Sequence, residues 1–139
     1  MSHIVASSVL SDEGVITLLT AAIGEATAMG QPQCIVIVDA SGVTLTSFRM
    51  RGSRFLSLKS ALAKARTAAS IGAPSHSVPE HAKLLLAAAT QGEATGLRGG
   101  LPIRIAGVLV GGIGVGSGSG EQDEAVALVA LKAIGADLD

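Results

Sequence analysis

The chain has no tryptophan and no tyrosine, and Phe48 and Phe55 are the only aromatics among its 139 residues. Large rings normally supply much of a core's buried surface. Here alanine, leucine, isoleucine and valine must fill it, packed closely around 18 glycines, in a chain that is 48% hydrophobic. Cysteine is nearly absent too. Cys34 stands alone, which excludes an internal disulfide, and its neighbours Ile35–Val38 mark it as a buried strand residue. Charge of one sign is lacking, since the net charge is −1 and the lysines and arginines are scattered. That distribution argues against nucleic acid or an anionic membrane as partner. No apolar run approaches the roughly 18 residues of a membrane span. The first ten residues have neither a basic start nor a signal-peptide core, which places the protein in the cytoplasm. At this length the chain forms one domain with a genuine core.

What is present is glycine, concentrated in Gly99–Glu124, GGLPIRIAGVLVGGIGVGSGSGEQDE. Ile103–Ala106 and Val108–Val115 have strand character, and Gly107 sits at the turn between them, so the segment reads as a hairpin. Gly111, Gly112 and Gly114 weaken the second strand by propensity and mark a place where another backbone or a ligand comes close. Gly116–Gly120 then presents successive N–H groups ahead of a helix, the geometry that cradles phosphates elsewhere. Three observations favour a purely structural loop. No lysine follows the glycines, so the phosphate-loop pattern fails. Glu121, Asp123 and Glu124 also occupy the helix's first turn, where they complement its dipole and would repel an anion. Ser119 and Gln122 have capping-box spacing.

Along the rest of the chain, residues 1–10 read as a flexible arm and 11–139 as a single domain. Ser11 is an N-cap followed by Asp12 and Glu13, and Val15, Leu19, Ala22, Ile23 and Ala26 recur at helical spacing until Gly30 and Pro32. Cys34–Val38 is a strand, Asp39-Ala40-Ser41-Gly42 a turn and Val43–Arg49 its return. A second helix spans Phe55–Ser70 with Leu58, Leu62, Ala65 and Ala69 as core stripe, leaving Lys64 off that stripe. Ser77 and Glu80, with Pro79 between them, predict a third helix over Val78–Ala89. The last helix, Asp123–Leu138, buries Val126, Val129, Ala130, Ala133 and Ile134.

Few residues carry obvious chemistry. Arg49, Arg51 and Arg54 place three guanidiniums in six residues, either a solvated loop or a clamp for carboxylate or phosphate. Arg49 is the favoured member because it lies closest to the strand end. Lys64 reads as an exposed, solubilising helix lysine, or as a functional one if desolvated. The histidines make no metal site, since His76 and His81 straddle a helix start and His3 lies in the arm. One histidine suffices as a haem axial ligand, so haem stays open as a cofactor. No nucleophile elbow is present, because an apolar helix start does not follow GSGSG.

Helix, hairpin, two helices, hairpin, helix is an α+β order. Four blocks extend this reading: Val38–Gly42 (VDASG) with the strand to Arg49-Met50; Lys64-Ala65-Arg66-Thr67-Ala68; Gly99-Gly100-Leu101-Pro102-Ile103; and Val110–Val115 running into Glu121–Ala127. On these blocks the chain resembles the GlcG/HbpS-like family, which includes small haem-binding proteins and the C-terminal part of the PduO corrinoid proteins. The resemblance implies a profilin-like sandwich with an antiparallel sheet of about five strands, and a homo-oligomer. It also implies a small-molecule-binding protein. Two functions follow. One is a binding protein for haem or a small organic acid, haem implying a sensing or storage role. The other is a cofactor-independent catabolic enzyme (lyase, isomerase or hydrolase) acting on a small carboxylated metabolite. In the second, Arg49, Lys64, Gly99 and Gly100 bind the acid, with Lys64 as base or electrostatic stabiliser and Glu93 and Asp123 as proton shuttles. The matched positions of Arg49 and Lys64 favour the acid over haem.

Overall fold

The structure, a computed structural model, describes residues 2–138. Its elements are α1 (Asp12–Ala28), β1 (Cys34–Asp39), β2 (Thr44–Arg49), α2 (Leu56–Ile71), α3 (Lys83–Ala89), β3 (Gly100–Ile105), β4 (Val108–Gly116) and α4 (Gly120–Ala133). The two hairpins join edge to edge through β1 and β4, giving one antiparallel sheet in the order β2-β1-β4-β3. The expectation of about five strands is corrected to four. Among the described residues the two hairpins hold all the strands, and residues 2–9 are exposed and without regular secondary structure. Among the described residues no helix is long and apolar enough to cross a membrane.

Strand side chains alternate between faces, and here the two faces hold different kinds of packing. Ile35, Ile37, Ile113 and Val115 point to one side, where they meet Leu18, Ala22 and Ala26 of α1 and Val126, Ala127 and Ala130 of α4. Each fully buried leucine, isoleucine or valine there contributes about 1.5–3 kcal/mol. Cys34, Val36 and Val38 point to the other side, against Ala61, Ala65 and Ala69 of α2. On that side β4 offers only glycine. A Cβ on Gly112 would fall on the carbonyl oxygen of Ala65, and one on Gly114 on that of Ala61. Helix α2 therefore lies directly on the backbone of β4, which explains glycines that strand propensity disfavours.

Local chemistry sets most boundaries. The Asp39 carboxylate accepts from the N–H groups of Ser41 (2.8 Å) and Val43 (3.0 Å), closing the first turn. Ala106 and Gly107 both have positive φ, 50° and 80°, the pattern of a two-residue type I′ hairpin. Ser11 caps α1, and Ser119 with Gln122 forms a complete capping box on α4. The third helix is shorter than predicted. Ser77 donates its hydroxyl to the Pro74 carbonyl (2.6 Å) rather than capping, and Val78 and Pro79 are extended. A residue ahead of proline is driven from helical geometry, so short 3-10 turns fill Ser75–Ser77 and Glu80–Ala82 before α3 begins at Lys83. In α2 the sheet-facing surface is alanine, with Leu58 and Leu62 only half-buried at its flank. In α4 the buried apolar set is Val126, Ala127, Ala130 and Leu131, with Ala133 exposed.

Candidate functional site

Four of the residues singled out by sequence meet in one buried cluster. Lys64 Nζ donates to Asp123 Oδ2 at 2.9 Å and to the Val115 carbonyl at 2.8 Å, and the two side chains are 5% and 3% exposed. Asp123 Oδ1 accepts from Gly118 N–H at 3.0 Å. Gly99, with φ 128°, packs so closely that a Cβ would lie 3.0 Å from Lys64 Nζ. Gly100 N–H donates to Ser75 Oγ at 2.9 Å, and the Ser75 hydroxyl donates to the Leu97 carbonyl at 2.6 Å. Lys64 is thus buried and paired, which corrects its reading as a solvated helix lysine. The anion that the glycine loop cradles is the chain's own Asp123 carboxylate. The pair ties α2 to the start of α4 across the end of β4, and both side chains are closed off from solvent.

The other two candidates lie elsewhere. Arg49 ends the outer strand β2, exposed, with its guanidinium on the Ser53 carbonyl at 3.3 Å. Glu93, in the loop after α3, faces Arg66 at 3.4 Å. The structure therefore separates Arg49 and Glu93 from Lys64, Asp123, Gly99 and Gly100.

Two surface grooves, each of about 450 Å³, lie outside the buried cluster. The first runs between the Asp39–Val43 turn, the outward side of α2 and the α3 segment, with Arg66 and Glu93 in its wall. The second runs between α4, β3 and the segment 72–74. Leu101, Pro102, Leu128, Leu131 and Leu138 make this second groove largely apolar. Its charged groups are Arg104, which donates to the Gly72 carbonyl at 2.6 Å, and the carboxylates of Asp137, which accepts from Gly107 N–H at 2.7 Å, and Glu124. Glu124 in turn joins two neighbours. Its Oε1 lies 3.7 Å from His76 Nε2, and its Oε2 accepts from Arg98. The hydrogen bond and charge of Glu124 raise the Arg98 guanidinium above its ordinary pKa.

Sequence reasoning did not single out Arg66, Arg104 or Ser75. Arg66 stood two positions from Lys64 in a quoted block, where helical spacing turns it to the opposite side. Arg104 follows the alternation of β3, but only the fold shows the groove beside it. Gln33 was missed as well: its amide is fully buried, and neither its nitrogen nor its oxygen has a partner among the described residues.

The model of a family described as "Haem degrading protein HbpS-like" matches residues 10–132. The corrinoid adenosyltransferases PduO of Salmonella typhimurium and Citrobacter freundii are 32% and 33% identical over 130 residues, covering 90% of this chain but 39% of each enzyme. The chain thus spans about two fifths of those relatives. Among solved structures, a PduOC–haem complex superposes with a TM-score of 0.87 at 30% identity, covering 94% of this chain and 98% of that one. A double mutant of HbpS from Streptomyces reticuli gives 0.85 at 29% identity, covering 95% and 91%. The Klebsiella pneumoniae protein ORFY shares the fold with a TM-score of 0.91 at 24% identity and 97% coverage of both chains.

Proposed function

The chain belongs to the HbpS-like family, and from that premise we propose that it is a small-molecule-binding protein whose ligand is haem. The observation that carries this reading is the second groove, an aliphatic slot with an imidazole beside it and Arg104 in its wall, where the two acids, Asp137 and Glu124, are already engaged by Gly107 N–H and Arg98. The residues present fit the group. A porphyrin needs apolar walls, which Leu101, Pro102, Leu128 and Leu131 supply. Its carboxylates need a cation, which Arg104 supplies as a planar fork. Its iron needs an axial donor, and His76 is the histidine next to the groove. When bound, haem would supply a ligand-binding and redox-active iron, tuned by that axial donor.

The chain's own residues do the rest. Glu124 lies 3.7 Å from Nε2 of His76, near enough to orient the ring once a hydrogen bond closes between them, and Nδ1 is then the nitrogen left for iron. Arg98 holds Glu124 from the other side, so the carboxylate is positioned before any ligand arrives. Leu128 and Leu131, on consecutive positions of one face of α4, exclude water from the slot. This preference reverses the one drawn from the sequence, where the acid led because Arg49 and Lys64 sat in matched blocks. Lys64 is occupied by Asp123, and Arg49 lies outside both grooves.

The test is a hemin titration of the purified protein. With no tryptophan or tyrosine in the chain, bound haem dominates the near-ultraviolet absorbance as well as giving a Soret band. A one-to-one band that His76→Ala shifts and weakens is the expected result. Absence of a band, or a band unmoved by His76→Ala but lost in His3→Ala or His81→Ala, overturns the assignment.

A further inference from the structure

We propose that the first groove is a separate binding site for a small carboxylate, with Arg66 as its anchor. The groove is the right size for a small metabolite, about 450 Å³. Arg66 enters it from α2 with its side chain 34% exposed, so its charge is reachable. Two contacts fix it. Its Nε donates to the Gly42 carbonyl at 3.0 Å, and one terminal nitrogen meets Glu93 at 3.4 Å. The first is a well-formed bond that holds the stem against the Asp39–Val43 turn. The second is long for a charge-assisted bond, which runs at about 2.7–2.9 Å, and Glu93 is 71% exposed. The guanidinium is therefore oriented by the backbone and only loosely satisfied by an acid, and three of its five N–H groups have no partner among the described residues.

The surroundings suit the same ligand. The Ser41 and Ser70 hydroxyls line the groove and hydrogen-bond to nothing among the described residues. Both can donate to a carboxylate oxygen or accept from a ligand hydroxyl. Ile71 and Leu86 give the groove an apolar wall for a short carbon chain. Glu93 works as a competitor that a better-placed carboxylate displaces from the guanidinium. The site shares no residue with the groove assigned to haem, so either assignment can fail alone.

Calorimetric titration with succinate and with citrate tests the site, with inorganic phosphate as the control anion. One-to-one binding of a carboxylate at sub-millimolar concentration is expected, weakened at least tenfold by Arg66→Ala. Arg66→Lys, which keeps the charge but loses the planar fork, should also weaken it. Glu93→Gln should tighten it several-fold by removing the competitor, an effect that loss of folding would not produce. His76→Ala should leave it unchanged. No carboxylate bound by the native protein at millimolar concentration, binding unchanged by Arg66→Ala and untightened by Glu93→Gln, or phosphate bound as tightly as either acid overturns the proposal.

Discussion

Lys64 and Asp123 face each other across 59 positions of sequence, inside a region that excludes water. Desolvating two charges is costly, and their attraction offsets it only while every remaining lone pair and proton finds a partner. Here the ammonium has the Val115 carbonyl and the carboxylate has the Gly118 N–H. Removing one partner leaves the other charge buried and uncompensated. Asp123→Asn should therefore destabilise the fold by about 3–5 kcal/mol, read as a lowered urea midpoint. The double change Lys64→Met with Asp123→Leu should recover most of that loss, because apolar residues of similar volume replace a buried pair with little net cost. A single variant as stable as the native protein would show that the pair is solvated. This interaction was not legible in the sequence. Helical spacing showed Lys64 to lie off the leucine stripe, but the side it occupies meets the end of β4 and the first turn of α4, a neighbourhood created only by the sheet order. Asp123 was legible as a first-turn acid, and its place against the glycine loop follows from the capping box that fixes the start of α4.

At the scale of elements, the alternation of β4 decides how close α2 can come. Ile113 and Val115 fill one face, and Gly112, Gly114 and Gly116 bare the backbone on the other. This much was readable in advance, since repeated glycine in an apolar strand signals close approach, and the turn residues of both hairpins announced themselves. What approaches was not readable, because alanine in α2 carries no pattern distinguishing a helix-facing from a sheet-facing side. The short α3 was missed for a different reason. Ser77 and Glu80 carry helix-start spacing, yet Pro79 forces its predecessor to be extended. Two glycines separate packing from propensity. Gly114→Ala places a methyl on the Ala61 carbonyl and should cost about 3 kcal/mol, the upper end for overpacking. Gly24→Ala, in α1 with nothing within 4 Å, should stabilise by about 0.5–1 kcal/mol through helix propensity. Thermal melts of both variants check this. Equal and small shifts would mean that α2 tolerates displacement from the sheet.

For the whole molecule, one unpartnered region combines a free sheet edge with both aromatic side chains. Strand β2 has no buried residue, and it leaves one edge of its ladder free. Beside it, Phe55 and Leu56 at the start of α2 are 67% and 69% exposed, and Phe48 on the strand itself is 41% exposed. Both of the chain's aromatics are therefore outside its own core, although burial of a ring is worth more than that of any aliphatic here. Apolar patches of this kind mark protein contacts, and a free strand edge is a second reason for covering the same region. A second copy of the chain, related by two-fold symmetry, satisfies both needs with one self-complementary surface. Light scattering at micromolar concentration should give a multiple of the 13.7 kDa chain mass. Phe55→Glu combined with Leu56→Glu should reduce that mass toward a single chain, because two carboxylates would be desolvated on each side of the interface. The same double charge at Leu84 and Leu85, exposed on α3, serves as the contrast. Dissociation by the α3 variant alone would move the interface to the opposite end of α2, and a native mass of one chain would remove it altogether.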